Sequence, residues 1–264
     1  YRLKCYEVPE GSRQSKGMNI ANLLPIASDE KVTSMIRVPE FDEEKYLVMV
    51  TKQGIIKRIS LNAYNTARKG GLIALELNES DELAWVRLTD GNQQVIVATK
   101  NGLAIRFEET DVRPMGRQAR GVKAISLREG DCVVGMCVVA NDDLILTASE
   151  TGFGRISNVS DYRLQSRGGK GITNYHTEKY GNVAAVSAVK LDEDIIIISQ
   201  EGVIIRIAAD TVRICNRPSK GVTLMRIGEN DKVVTVARAP HEDSESEKTE
   251  ETAEEETSEE NTAP

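Results

Sequence analysis

Residues 95–107 read VIVATKNGLAIRF: an apolar run, a polar turn ending in Gly102, a second apolar run, and Arg106 near its close. Alternation of this kind around a glycine turn predicts a β-hairpin. The Asn101-Gly102 pair predicts a type I′ turn, in which both central residues take positive φ. The same phrase recurs as LVMVTKQGIIKRI from Leu47, LILTASETGFGRI from Leu144 and IIIISQEGVIIRI from Ile195. The turn glycines Gly54, Gly102, Gly152 and Gly202 are spaced 48, 50 and 50 residues apart.

Two further landmarks keep the same period. Glycine follows cations in RQSKGMNI (13–20), ARKGGLIAL (67–75), RQARGVKAI (117–125), QSRGGKGIT (165–173) and NRPSKGVTL (216–224). An acidic turn then precedes another apolar run in SDEKVTSM, SDELAWV, GDCVVGM and NDKVVTV, from Ser28, Ser80, Gly130 and Asn230. KYGNVAAV, from Lys179, stands in its place in the remaining unit. Each unit reads strand, tight turn, strand, basic loop, strand, acidic turn, strand. Four strands per ~50 residues is a propeller-blade period. Runs such as Asp194–Ser199 are too apolar for a solvated face and predict burial on both sides. A blade cannot bury its faces alone, so the expectation is one all-β domain over 1–239. The basic landmark appears five times and the hairpin four, so the opening YRLKCYEV reads as the second half of a hairpin that begins before Tyr1.

The net charge of −7 conceals a division. Residues 241–264 carry 11 acids and one lysine, a net of −10, which leaves 1–240 at +3. Segment 240–264 is too poor in apolar residues to offset ordering entropy and is expected to be a disordered acidic tail. It either aids solubility or competes, as a polyanion, for basic surface on the body. Cys5, Cys132, Cys137 and Cys215 are scattered, and the histidines are His176 and His241. This pattern predicts free thiols and gives poor support to a zinc site or a catalytic triad.

Cations cluster after every hairpin: Arg13 and Lys16; Arg68 and Lys69; Arg113, Arg117, Arg120 and Lys123; Arg163, Arg167 and Lys170; Arg213, Arg217 and Lys220. On stacked blades one loop position recurs around the rim, so these residues predict a belt suited to a phosphate backbone. Gln165, Gly168, Gly169 and Gly171 belong to the same surface, the glycines letting backbone N–H groups approach phosphate. The stretch QSRGGKG is not a P-loop, because Ile172 stands where Ser or Thr is needed and no helix follows. Aromatic residues make up 4% of the chain, which argues against base stacking and for duplex backbone. The hairpin arginines Arg58, Arg106, Arg155 and Arg206 either flank the rim or pair with the recurring acids Asp81, Asp131 and Asp231.

The 50-residue unit, RLKCYEVPEGSRQSKGMNIANLLPI (2–26), NGLAIRFEETDVRPMGRQARGVKAISL (101–127) and QSRGGKG together resemble the C-terminal domain of DNA gyrase A, over residues 1 to about 239. The resemblance implies a β-pinwheel: a six-bladed, propeller-like ring whose blades exchange strands, the first blade incomplete in this chain. It implies a non-catalytic domain that wraps duplex DNA and supports ATP-dependent negative supercoiling by the whole enzyme. No cofactor of its own is implied. The implied partners are the breakage-reunion part of gyrase A and the companion protein gyrase B, and the implied setting is cytoplasmic and nucleoid-associated. The family's signature box is Gln-Arg-Arg-Gly-Gly-Lys/Arg-Gly in the first blade. QSRGGKG is a degenerate copy with Ser166 at the second position, and the box proper would lie before Tyr1. Two other readings stay open: the equivalent domain of topoisomerase IV, which selects DNA substrates for decatenation, and a propeller scaffold for proteins.

Overall fold

The computed structural model describes residues 1–12, 14–27, 30–66, 68 and 70–241. Arg13 and Lys69 of the expected belt, and the acidic segment from 242 onward, lie outside the described residues. All four hairpins form. Strands β1 (Tyr46–Thr51) and β2 (Ile55–Ser60) flank Gly54, and β4 (Gln94–Thr99) and β5 (Leu103–Glu108) flank Gly102. Strands β8 (Leu144–Ser149) and β9 (Phe153–Asn158) flank Gly152, and β12 (Glu193–Ser199) precedes β13 (Ile204–Ala208) across Gly202.

The turns are three residues long, not the two of a type I′ loop. Gly102 takes φ +79° while Asn101 stays on the ordinary side, and Gly102 N donates to Thr99 O at 3.1 Å. This is a turn closed by a left-handed glycine bulge. The same bond joins Gly54 to Thr51, Gly152 to Ser149 and Gly202 to Ser199. The strand-end hydroxyl is part of the device: Thr51, Thr99, Ser149 and Ser199 each accept from the amide four residues on. So is the acidic turn. Asp81, Asp131 and Asp231 accept from the turn amides of Gln53, Asn101 and Glu201 at 2.9, 2.9 and 3.1 Å. These acids cap turns and do not pair with the hairpin arginines, which corrects one of the readings above.

In each of the four hairpin units the apolar run before the next hairpin forms a strand that pairs back onto its own hairpin: β3 (Leu83–Thr89) on β1, β7 (Val133–Val139) on β4, β11 (Val183–Val189) on β8, and β15 (Val233–Pro240) on β12. The strand expected from SDEKVTSM does not form among residues 30–45. The unit lacking an acidic turn uses a four-residue helix, Thr177–Tyr180, to reach β11. The two-residue strand after each of the last three basic loops behaves differently; the loops at 13–20 and 67–75 are followed by none among the described residues. Strand β6 (Val122–Lys123) pairs with β2, β10 (Ile172–Thr173) with β5, and β14 (Val222–Thr223) with β9. Each leaves its own unit and completes the preceding sheet. The sheet orders are β3-β1-β2-β6, β10-β5-β4-β7, β11-β8-β9-β14 and β13-β12-β15.

Exchange depends on glycine. At Gly221 (φ +80°) a Cβ would lie 1.9 Å from Gly154 O, and Gly171 and Gly121 are held 2.5 and 2.6 Å from Ala104 O and Ile56 O by the same measure. After each exchanged strand, Ala124, Asn174 and Leu224 donate to the carbonyls of turn glycines Gly54, Gly102 and Gly152 at 2.7–2.8 Å.

The core lies between sheets. One cluster joins Val48, Val50 and Ile56 to Val95, Ile105 and Phe107; a second joins Ile96 and Ala104 to Ile145 and Tyr162; a third joins Leu146 and Ile156 to Ile195 and Ile197. Central hairpin strands are therefore covered on both faces, as their apolar runs require, each large side chain contributing about 1.5–3 kcal/mol. Strands β7 and β11, and β11 and β15, pack against one another between sheets. On the last sheet the alternate residues Ile196 and Ile198 are only half-buried. The outer edge of β13 carries no strand among the described residues, and Ile204 there is 63% exposed, where its equivalent Ile56 is fully buried. The array expected over 1–239 thus comprises four sheets over 46–240. Among the described residues, 1–45 hold only short 3-10 turns, at Cys5–Glu7 and Ile20–Asn22. The first of these matches the 3-10 turn that ends every later hairpin, and Tyr1 lies against Gly71.

Candidate nucleic-acid interface

Each hairpin runs into a short 3-10 helix: Glu109–Asp111, Val159–Asp161 and Ala209–Thr211 in the last three units. Two residues further on stand Arg113, Arg163 and Arg213, all exposed. The residue after each forms an isolated parallel bridge to the preceding sheet: Pro114 to Arg58, Leu164 to Arg106, Ile214 to Ile156. The three arginines therefore occupy one equivalent place on three successive blades, fixed by backbone contacts to the blade before.

A second row precedes the exchange glycines. Arg120 and Lys170 are exposed, the former paired with Glu76 at 2.9 Å on the surface. Lys220 is half-buried, its Nζ 3.5 Å from the centre of the Phe153 ring. Lys123 is exposed on β6, and exposed Thr173 and Thr223 hold the matching places. Lys16 and Arg68 are exposed as well.

Other members of the expected belt turn inward. Arg167 donates through Nε to Asp111 O at 3.0 Å and through Nη1 to Lys123 O at 3.2 Å. Arg217 repeats this one unit on, with Nε 2.8 Å from Asp161 O and Nη1 on Thr173 O, and lies over the Tyr162 ring. Arg117 is half-buried near Tyr64. Gln165 is half-buried, its backbone N–H donating to Arg106 O at 2.9 Å. The glycines of QSRGGKG do not form an open phosphate cradle: Gly168 N is committed to Ala124 O at 2.6 Å, and the Gly168 and Gly169 carbonyls accept from Ser126. Gly171 serves strand exchange.

The hairpin arginines also hold the structure together. Arg58 stacks on Tyr46 with its Nη1 3.9 Å from buried Glu109. Arg106 reaches Gln94, Asn141 and the carbonyls of Val159 and Tyr162, and Arg206 binds Asp194 at 2.7 Å. Arg155 sits one place earlier in its hairpin, so strand alternation points it to the opposite face. There it is fully buried, donating to Asn174 O.

Lys57, in the same position as Arg155, was missed as a structural cation. It is fully buried and gives its three N–H donors to Ala74 O, Arg117 O and Ala119 O at 2.7, 2.6 and 3.0 Å. Burial lowers its pKa. The adjacent pair Lys57-Arg58 carries the signal: with a period of two, one of them must face away from the other.

The family model for the DNA gyrase C-terminal domain, beta-propeller, matches residues 1–39, 45–90, 93–139, 143–190 and 193–240, one segment per unit. The DNA gyrase A protein of Clostridium acetobutylicum is 53% identical over 123 residues, which are 47% of this chain and 15% of that protein. The DNA gyrase A protein of Halalkalibacterium halodurans is 54% identical over 123 residues, with the same coverage. Those alignments thus take in about one seventh of the curated relatives' length. Among solved structures, the C-terminal domain of DNA topoisomerase IV superposes with a TM-score of 0.83 at 27% identity, covering 90% of this chain and 75% of that one. The DNA gyrase A C-terminal domain superposes with a TM-score of 0.76 at 27% identity, covering 90% and 78%.

Proposed function

The chain belongs to the DNA gyrase C-terminal domain family, and from that premise we propose that its outer rim binds duplex DNA through the phosphate backbone and bends it around the blades. The observation that carries this reading is the triplet Arg113, Arg163 and Arg213, three exposed guanidiniums at one equivalent place on successive blades. Lys123, Lys170 and Arg120 add charge beside them. A guanidinium forks onto phosphate oxygens and is always charged. Nothing in the row reads a base edge, so affinity is sequence-independent and preference follows duplex stiffness. The domain performs no bond chemistry. In the whole enzyme it presents the wrapped segment to the breakage-reunion part of gyrase A, and gyrase B supplies the ATP step that makes the outcome negative supercoiling. Its place is with the nucleoid; among the described residues no helix is long and apolar enough to cross a membrane.

The likeness in shape to the topoisomerase IV domain does not separate the two enzymes, since both solved neighbours stand at 27% identity. The identity of 53–54% to the curated gyrase proteins favours gyrase. Binding of this chain to a mixed-sequence duplex, titrated against salt, tests the reading. Log affinity should fall linearly with log salt by about 0.9 for each phosphate neutralised. A flat response, or equal preference for single strands, would overturn it.

A further inference from the structure

We propose that Arg167 and Arg217 are positioning residues that hold successive blades at a set angle, and so fix the curvature the rim imposes on a duplex. This rests on the reading that the rim carries duplex DNA. The two side chains make the same two-point contact. Each sends Nε to a carbonyl 56 residues back and Nη1 to a carbonyl 44 residues back. The first acceptor, Asp111 or Asp161, ends a 3-10 helix two residues before an exposed rim arginine, Arg113 or Arg163. The second, Lys123 or Thr173, is on an exchanged strand. One guanidinium thus ties the loop of its own blade to the two backbone segments that carry the rim contacts of the blade before.

The acceptors are neutral carbonyls, so what each contact requires is the planar fork of an arginine. A lysine carries the same charge but concentrates it at one nitrogen and cannot bridge two carbonyls in that plane. The surroundings stiffen the contact. Gly168 N donates to Ala124 O at 2.6 Å beside Arg167, and Arg217 lies 5.1 Å from the centre of the Tyr162 ring. Bending a duplex costs elastic energy, and a rim whose blades pivot lets the duplex relax instead of transmitting the bend.

The test compares three double variants of this chain, R167K/R217K, R167Q/R217Q and R163Q/R213Q, each verified as folded by its thermal transition. Two duplexes are used: one of about 12 base pairs, too short to bend, and one of about 60 base pairs labelled at both ends for energy transfer. R167K/R217K is expected to bind the short duplex within about twofold of the parent with an unchanged salt slope. The ends of its long duplex should stay farther apart, and X-ray scattering of the free protein should show a broader spread of shapes. R167Q/R217Q should repeat this loss of bend, with single substitutions as intermediates. R163Q/R213Q should instead lower short-duplex affinity about tenfold and reduce the salt slope by about 2. Full bending by R167K/R217K would overturn the inference by showing that charge alone suffices. A loss of short-duplex affinity in R167Q/R217Q as large as in R163Q/R213Q would also overturn it, making these arginines phosphate contacts. If the parent protein binds neither duplex, the DNA reading itself fails, and that result is separate from either of the others.

Discussion

Lys57 shows how a cation can be spent on the fold. Three carbonyls from two different basic loops converge on one ammonium, which has three N–H donors to give. Lys57→Met would remove the donor from the carbonyls of Arg117 and Ala119 and leave Ala74 O only the Tyr64 hydroxyl at 3.5 Å, and the expected loss is about 3 kcal/mol, read as a lower urea midpoint at unchanged slope. Tyr64, beside Ala74, gives a pH-dependent counterpart. Burial pushes its hydroxyl up to about 12 from an ordinary value of 10, against the weaker opposing pull of Arg117. A folded-state pKa above the unfolded one means stability that is fully present below pH 10 and lost as pH rises toward 12. Tyr162 and Tyr175 are raised by burial as well and act in the same sense, whereas lowered Lys57 opposes them. Unfolding free energy should therefore fall between pH 10 and 12, and Tyr64→Phe should make that fall shallower; an unchanged slope would contradict the assignment. At this scale the sequence was only partly legible. Cation identity and spacing were visible, but Arg113 and Arg167 look alike in a loop of cations. Only the fold shows that one faces solvent and the other faces two carbonyls.

Strands, turns and their order were readable, because alternation and glycine position are local properties. Residue 101 was misread in detail: asparagine-glycine favours a two-residue turn, yet the hydroxyl of Thr99 and the carboxylate of Asp131 favour a three-residue loop with only Gly102 left-handed. Strand exchange was not readable from the residues, since Val122 meets Ile56 across 66 positions of chain and nothing local marks the pairing. It entered only through the family resemblance. The exchange glycines supply the prediction at this scale. Gly221→Ala would drive a methyl into Gly154 O at a positive φ, and about 3 kcal/mol of destabilisation is expected. Gly17→Ala meets nothing within 4 Å and should cost about 1 kcal/mol from backbone strain alone. Equal effects in thermal denaturation would contradict a role for close approach at Gly221.

Across the molecule, the charge division is the feature most open to experiment. The body carries +3 and residues 241–264 carry −10, and we propose on electrostatic grounds that the C-terminal acids compete with phosphate for the rim. Removing 242–264 should tighten duplex binding at low salt, with the gain shrinking as salt rises; unchanged affinity would leave the acids a role in solubility only. The periodicity of the cations was legible, but which of them are exposed was not, because exposure is decided by which side of a loop meets the preceding blade. Arg113, Arg163 and Arg213 are the regular exposed row. The most direct measurement is the salt dependence of duplex affinity for the R113Q/R163Q/R213Q variant beside the parent protein. The slope of log affinity against log salt should lose about 3, close to 0.9 for each arginine removed, while the thermal transition stays in place. A slope that does not move would contradict the claim that this row of arginines meets the phosphate backbone.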